Sequence, residues 1–322
     1  MSAVVTFYHF VGLDEAQLAD LRAGLVERCS ARDIVGTTLL ATEGINGTLA
    51  GARPKLDEVV AWLRGQPGLA ELPVKFSQAS ATSPVFYRLR VKIKPEIVTF
   101  GVPVAPGERT GQHVDAERWN ELLDDPDLVV IDTRNHYEIE VGSFPGALNP
   151  NTESFREFPQ FVADQLDPQQ QPRIAMFCTG GIRCEKASAY MLEAGFSEVY
   201  QLDGGILKYL ETVAEPANRW QGDCFVFDQR VALKADLAPG EHVQCHACRR
   251  PLTQADVNNP HYEEGVSCRF CFDASPKRRA AHAERQKQID LARSRGQVHL
   301  GPKSQVAHRQ TEQRRKPSDS DQ

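Results

Sequence analysis

The sequence contains no apolar run that approaches the length of a membrane span, and no basic leader precedes its first short apolar stretch. We therefore expect neither a signal peptide nor a membrane segment, and we place the chain in the cytoplasm. A glycine-rich dinucleotide fingerprint is also missing, which argues against a NAD or flavin cofactor. Outside the cysteine-rich region, no pair of histidines with a carboxylate indicates an oxygenase iron centre.

Length and composition point to several domains in a reducing compartment. The 322 residues predict two or three domains, and the hydrophobic share of 41% is sufficient for packed cores. Four of the eight cysteines form two CxxC pairs, which favours a metal site over a disulfide framework. Residues 273–322 carry 12 Lys and Arg against 6 Asp and Glu, although the whole chain has a net charge of −6. Such a basic tail either attracts a polyanion or is only a solvated end.

The most informative segment is Arg173–Leu192, with the sequence RIAMFCTGGIRCEKASAYML. A short apolar strand ends at Cys178, and a glycine-containing turn leads into a helix that begins near Arg183. Unpaired backbone N–H groups and the helix dipole meet at such a turn, so we expect an anion-binding loop that favours the Cys178 thiolate. The predicted loop consists of Cys178, Thr179, Gly180, Gly181, Ile182 and Arg183. The alternative is a buried cysteine at a strand end beside a surface arginine.

Residues 1–95 show the order β-α-β-β-α-β, which is typical of a ferredoxin-like α+β domain. Near the end of this region, cations occur at alternate positions and so point from one face of a strand. These cations are Arg88, Arg90, Lys92 and Lys94. They form either a solvated sheet face or a surface that follows an RNA phosphate backbone.

Residues 96–112 are rich in Pro and Gly and are expected to form a linker. Strands and helices then alternate over residues 113–217, which predicts a doubly wound parallel α/β sheet. Cys178 falls at the carboxyl edge of this sheet, where such folds bind their ligands. Asp132 and Arg134 follow a neighbouring strand, so they either support the pocket or form a local ion pair.

Residues 218–274 are predicted to form a small cysteine-rich module. Two CxxC pairs separated by 19 residues match a four-thiolate zinc site, so we expect a structural zinc ion; the alternative is reduced cysteines without metal. The predicted ligands are Cys245, Cys248, Cys268 and Cys271, with His242, His246 and His261 as nearby substitutes. Residues 275–322 are predicted to form a basic helix followed by a disordered end.

Four ordered motifs in the middle region resemble those of a rhodanese domain: VVIDTR, GSFPGALN, FCTGGIRC and GFSEVYQLDGGILKYLE. The flanking stretches TEGINGTLAG and FYRLRVKIKPEIVTFG, together with the CxxC pairs, extend the similarity over about residues 1–272. Over that range the chain resembles the bacterial rhodanese-like family that hydroxylates the wobble uridine of tRNA, at position 34, to 5-hydroxyuridine. The implied fold is a rhodanese-like doubly wound sheet, preceded by a ferredoxin-like domain and followed by a zinc-type module and a basic tail.

The resemblance implies an oxygen-dependent oxidoreductase that acts on the anticodon loop of tRNA. Dioxygen would be the co-substrate, while the electron donor and the oligomeric state stay open. One hypothesis is that the Cys178 thiolate adds to C6 of the uracil, with Arg183 and the loop N–H groups either stabilising the enolate oxygen or holding the thiolate. The alternative is a rhodanese-type sulfurtransferase in which Cys178 carries a persulfide. Cys184, six residues further on, is either a resolving thiol or a packed helix residue.

Overall fold

The computed structural model describes residues 2–78 and 85–296. Its first unit is a five-stranded sheet with two helices packed on one face. The elements are β1 (Ser2–Phe10), α1 (Glu15–Ala31), β2 (Val35–Ala41), β3 (Gly44–Ala52), α2 (Arg53–Arg64), β4 (Val74–Gln78) and β5 (Leu89–Ile93). The strand order is β4-β1-β3-β2-β5, and only the β2–β5 pair is parallel. This is the predicted β-α-β-β-α-β arrangement with a fifth strand at one edge.

Local sequence signals explain where these elements begin and which face they bury. The Asp14 carboxylate accepts a hydrogen bond from the Gln17 N–H, and the Gln17 side chain accepts one from the Asp14 N–H, so α1 starts with a capping box. Alternate residues of β1, such as Val5 and Phe7, pack beneath the helices. The intervening residues, among them Tyr8, lie on the opposite face of the sheet, which is therefore free to contact the rest of the chain.

The middle unit is a four-stranded parallel sheet with helices on both faces. Its elements are β6 (Gln112–Val114), α3 (Ala116–Leu123), β7 (Val129–Asp132), α4 (His136–Ile139), β8 (Gly142–Ser143), a 3₁₀ turn (Phe155–Glu157), α5 (Phe158–Gln165), β9 (Arg173–Phe177), α6 (Ile182–Glu193), β10 (Glu198–Leu202) and α7 (Gly205–Thr212). The order in the sheet is β6-β10-β9-β7, while β8 lies outside it. The doubly wound parallel sheet expected from the alternating pattern is thus present.

Strand β9 lies inside this sheet and is buried on both faces, which explains its continuous apolar sequence. Ile174 and Met176 pack into the core that contains α5 and α6. Ala175 and Phe177 pack into the core that contains α3 and α7. Cys178 follows directly, at the carboxyl edge of the sheet.

The remaining elements are short, apart from one terminal helix. They are β11 (Gln221–Gly222), β12 (Cys224–Phe225), β13 (Ala232–Leu233), β14 (Val243–Gln244), β15 (Pro251–Leu252), α8 (Gln254–Val257) and α9 (Pro276–Ser294). Strand β11 pairs with β8, and Trp220 and Cys224 belong to the core of the middle unit. A separate small core forms only around the four CxxC cysteines and Leu252. The first part of the region predicted as one module therefore packs as an extension of the parallel-sheet unit.

Helix α9 occupies the start of the predicted basic tail. The predicted disordered end, residues 308–322, lies outside the described residues. Within the described residues, no helix combines the length and the apolar character needed to cross a membrane.

Candidate active site

Cys178 is buried at the end of β9, with 1% of its surface exposed. The Gly181 N–H donates a hydrogen bond to its Sγ at 3.1 Å, so the turn closes over the sulfur atom. From the other side, the Cys178 carbonyl accepts from the Ile206 N–H at 2.9 Å, at the start of α7. Cys178 is therefore held by two helix N-termini, through its sulfur atom at α6 and through its carbonyl at α7.

The surroundings of Cys178 favour its thiolate form. Burial alone would raise the pKa of Cys178, but hydrogen bonding from the Cys184 thiol and the positive charge of Arg183 outweigh it. Together with backbone N–H groups at the start of α6, they lower the pKa of Cys178 to about 5. Burial and the neighbouring thiolate raise the pKa of Cys184, which thus stays a thiol and can donate its proton. Cys184 is fully buried, 3.6 Å from the hydroxyl of Thr133.

The close approach of α7 to the loop requires glycine at position 205. Gly205 has a φ of +64°, and a Cβ atom there would lie 2.4 Å from the Cys178 carbonyl oxygen. The same atom would also lie within 3.0 Å of the backbone nitrogens of Gly180 and Gly181. Open space surrounds the Cβ position of Gly180. The sequence contains Gly204-Gly205, but only the structure shows that one of them fits against the loop.

Arg183 lies beside the loop, but its charge is already matched by a carboxylate. Its Nη1 and Nη2 atoms donate to Glu138 at 2.6 and 2.9 Å, and Nη2 also lies 3.3 Å from the Thr179 hydroxyl. Glu138 is completely buried and Arg183 is 6% exposed. This pairing holds the guanidinium rigidly next to the sulfur atom. Glu138 was not expected from the sequence, because it lies 45 residues from its partner and in a different element.

Asp132 and Arg134 form a buried ion pair beneath the loop. The Arg134 Nε and Nη2 atoms donate to the two Asp132 oxygens at 2.8 and 2.6 Å, and both side chains are 0% exposed. Arg134 also donates to the carbonyls of Glu138 and Gly142. Of the two alternatives left open by the sequence, the local ion pair is present. It supports the loop indirectly, because it anchors the backbone that carries Glu138.

The first turn of α6 joins the first and middle units. The Tyr8 hydroxyl donates to Glu185 at 3.1 Å, and His113 lies 3.0 Å from the same carboxylate oxygen. Lys186, which is 1% exposed, forms ion pairs with Glu43 at 2.8 Å and Glu96 at 2.7 Å. Sequence reasoning missed these residues. The adjacent Glu-Lys pair directly after the loop is the only local signal, because its side-chain partners other than Gln201 are 72 or more residues away in the sequence.

The four predicted RNA-contacting cations lie at the edge strand of the first sheet. Strand β5 includes Arg90 and Lys92, while Arg88 and Lys94 flank it. Three of these side chains are exposed and Arg90 is half-buried. Ile93, which alternates with these cations and so points from the other face of the strand, is 47% exposed at the end of β5.

The strand register relates these cations to the cysteine loop. Lys92 pairs with Leu39, which pairs with Asn46, which pairs with Tyr8. Paired residues share a sheet face, so Lys92 and Tyr8 lie on the same face, three strands or about 14 Å apart. A Cβ atom on Gly181 would lie 2.8 Å from the Tyr8 hydroxyl. The cation-bearing sheet face thus leads directly to the loop.

The four CxxC cysteines converge on one another at the opposite end of the chain. Their sulfur atoms all lie within 4.8 Å of one another, with separations of 3.7 Å for Cys248–Cys268 and 4.0 Å for Cys245–Cys271. A tetrahedral zinc ion with Zn–S bonds of 2.3 Å requires S···S separations of about 3.8 Å. The donor set therefore fits zinc. His242, His246 and His261, predicted as substitute ligands, do not belong to this group of four side chains.

Two sequence families match the two larger units. The UPF0176 acylphosphatase like domain matches residues 2–97, and the rhodanese-like domain matches residues 115–212. The fold and the cysteine loop therefore define a rhodanese-type protein with an acylphosphatase-like domain in front. Among solved structures, the rhodanese-like domain of an Anabaena protein is 19% identical and covers 35% of this chain and 80% of its own, with a TM-score of 0.29. A human single-domain sulfurtransferase is 22% identical and covers 32% of this chain and 99% of its own, with a TM-score of 0.27.

A relative that aligns with almost the whole chain identifies the protein family more specifically. The tRNA uridine(34) hydroxylase of Teredinibacter turnerae is 48% identical over 312 residues, which is 96% of each chain. The protein belongs to the tRNA uridine(34) hydroxylase family.

Proposed function

We propose that this protein hydroxylates C5 of uridine 34 in tRNA, with Cys178 as the nucleophile. The observation that carries the proposal is the 48% identity to a tRNA uridine(34) hydroxylase across 96% of the chain. That range includes the first unit and the cysteine-rich region, which a sulfurtransferase acting on small molecules does not need. The buried Cys178 thiolate supplies a group that can react with the base.

The sheet face that carries Lys92 and Tyr8 supports binding of RNA beside this thiolate. Cations along β5 would contact phosphates, and the base would reach Cys178 without breaking a pair, because position 34 is in the unpaired anticodon loop. Helix α9, rich in Lys and Arg, adds a second cationic element.

In the proposed reaction, the Cys178 thiolate adds to C6 of the uracil. The C5–C6 π bond breaks, and its electron pair forms an enolate that makes C5 nucleophilic. One atom of dioxygen is then transferred to C5, and overall an external two-electron reductant and two protons convert the other atom to water. Loss of the C5 proton restores the ring double bond and expels the Cys178 thiolate from C6.

The residues of the loop would control charge during these steps. Backbone N–H groups of the turn stabilise the leaving thiolate, and the Cys184 thiol, which helps to lower the pKa of Cys178, favours the same charged form. Arg183, fixed by Glu138, keeps a positive charge near the sulfur atom throughout the cycle. The zinc ion that fits the four-cysteine cluster would hold the C-terminal module together, since all four coordination positions are filled by thiolates. A tRNA substrate also favours a cytoplasmic location.

A covalent trap tests the central step. In RNA with 5-fluorouridine at position 34, the proton whose loss normally releases the enzyme is replaced by fluorine, so an adduct at C6 should persist. We expect a crosslinked peptide that contains Cys178. Cys224, also buried but with a pKa raised to about 12 by burial, provides the matched control: Cys224→Ser should retain the adduct and Cys178→Ser should lose it.

If the enzyme oxidises normal tRNA but forms no adduct with the 5-fluorouridine RNA under the same conditions, the C6 addition is contradicted. Rapid turnover of thiosulfate with no oxidation of uridine would instead favour the persulfide role of Cys178, for which the six-residue loop is also suited.

A further inference from the structure

An aromatic ring, Phe227, is exposed at the rim of the cysteine loop. It lies in the segment that connects β12 to β13 and is 62% exposed. Its neighbours in the segment are buried: Phe225 is 1% exposed, Val226 4% and Asp228 5%. The exposure is therefore particular to Phe227 and is not that of a loosely attached loop.

The segment is held in place by contacts to both larger units, since Phe225 and Val231 share a small core with Val141 of the middle unit. Asp228 and Arg230 form a bidentate ion pair with distances of 2.6 and 3.0 Å, and Arg230 reaches Ser77 of β4. The Gln229 N–H donates to the Val85 carbonyl at 3.2 Å. Because the backbone is fixed on both sides, the ring has a defined position before any ligand binds.

That position is beside the catalytic loop. The Thr179 hydroxyl lies 3.5 Å from the Phe225 carbonyl, so the segment contacts the loop directly. The Phe227 ring centroid lies 5.8 Å from the guanidinium carbon of Arg183, and Phe225 packs against the ring at 90° with centroids 5.1 Å apart. Phe227 is thus supported from below and open toward solvent, next to the residues that surround Cys178.

We propose that Phe227 stacks on an unpaired nucleobase of the RNA loop that enters the Cys178 pocket. A rigid aromatic face beside a cation is the surface that unpaired bases bind in proteins that recognise single-stranded RNA. Leaving the ring in water forfeits the free energy that its burial would give, and an incoming base would cover it. The inference rests on the proposed function, since it assigns the RNA contact of the same site. It places that contact on the side of the loop bordered by β4, whereas the cations lie at β5, the opposite edge of the first sheet.

The test compares Phe227→Ala, Phe227→Tyr and a control, Phe270→Ala. Phe270 is 37% exposed and lies in the cysteine-rich module, where Arg269 contacts its ring at 4.4 Å. Two quantities are measured with an anticodon stem-loop RNA: its Kd by fluorescence anisotropy and the KM for formation of 5-hydroxyuridine. We expect Phe227→Ala to raise both about tenfold, because base stacking on an aromatic residue contributes about that factor or more. Phe227→Tyr and Phe270→Ala should stay within about twofold of the wild type.

The thiolate absorbance of Cys178 separates stacking from a merely structural role, and it should be unchanged in Phe227→Ala. Unchanged Kd and KM in Phe227→Ala, or an equal loss in Phe227→Tyr, would overturn the proposal. The Kd also distinguishes the two proposals. If the wild type oxidises no uridine but Phe227→Ala still weakens RNA binding, the stacking role stands and the hydroxylation fails.

Discussion

Replacing Glu138 with Gln tests the charge balance beneath the cysteine loop. In the wild type, two buried carboxylates, Asp132 and Glu138, face two buried guanidinium groups, Arg134 and Arg183. Glu138→Gln keeps the shape of the side chain but removes one negative charge, so one guanidinium loses its ionic partner. Removing one partner of a buried ion pair costs about 3–5 kcal/mol of stability.

The same substitution should change the thiol in a defined direction. With the Glu138 charge gone, the uncompensated Arg183 attracts the Cys178 thiolate more strongly, so the pKa of Cys178 should fall below its wild-type value of about 5. The Cys178 thiol is ionised at neutral pH in both proteins, so this stronger attraction returns part of the lost stability. We therefore expect a net loss near the lower limit, about 3 kcal/mol, at neutral pH.

Denaturant unfolding followed by tryptophan fluorescence measures the loss of stability, since Trp119 and Trp220 both lie in the core of the middle unit. A pH titration of the ultraviolet thiolate absorbance, with Cys178→Ser subtracted as the blank, measures the pKa of Cys178. The matched control is Glu140→Gln, in the adjacent turn, where the carboxylate is 47% exposed and 3.4 Å from His136. It should change stability by less than about 0.5 kcal/mol. A loss below about 1 kcal/mol for Glu138→Gln, or a rise in the pKa of the thiol, would refute the reasoning.

Three further predictions address the glycine contact, the cationic face and the metal. Gly205→Ala should destabilise the middle unit by about 2 kcal/mol or more, because Gly205 has a positive φ and its Cβ position lies against the loop backbone. Gly180→Ala, the control, should change the free energy of unfolding by less than about 0.5 kcal/mol in the same measurement. Lys92→Glu should weaken tRNA binding in a filter or anisotropy assay and reduce the slope of log K against log salt by about one or more. Arg22 is exposed on α1, on the other face of the sheet, so Arg22→Glu should leave that slope unchanged. An equal reduction of the slope by both substitutions would contradict the assignment of the Lys92 face as the RNA-binding face. Cys268→Ser should lower the zinc content of the purified protein, measured by elemental mass spectrometry, and equal zinc in both proteins would contradict the four-thiolate site.

Patterns within short stretches of sequence predicted most of the secondary structure. Asp14 caps α1, and the apolar run before Cys178 forms a strand buried on both faces. These features depend on residues a few positions apart, for which periodicity and capping are direct physical signals. The converging CxxC pairs were also predictable, because each pair places two sulfur atoms on one side of an ion.

The partners of the loop residues could not be predicted in the same way. Glu138 meets Arg183 across 45 positions, and Tyr8 meets Glu185 across 177. Such contacts depend on how whole units pack. The residues next to a buried carboxylate in the sequence contain no pattern that predicts its partner. The position of Phe227 is a further case, since a single aromatic residue in a connecting segment is as compatible with burial as with exposure.

The central claim is tested most directly by the nucleosides of cellular tRNA. We would analyse tRNA by mass spectrometry from cells that lack this protein and carry the wild-type gene, Cys178→Ala or Cys224→Ala. The account predicts that 5-hydroxyuridine and its derivatives disappear without the protein and return with the wild type and Cys224→Ala, but not with Cys178→Ala. Full recovery with Cys178→Ala would contradict it.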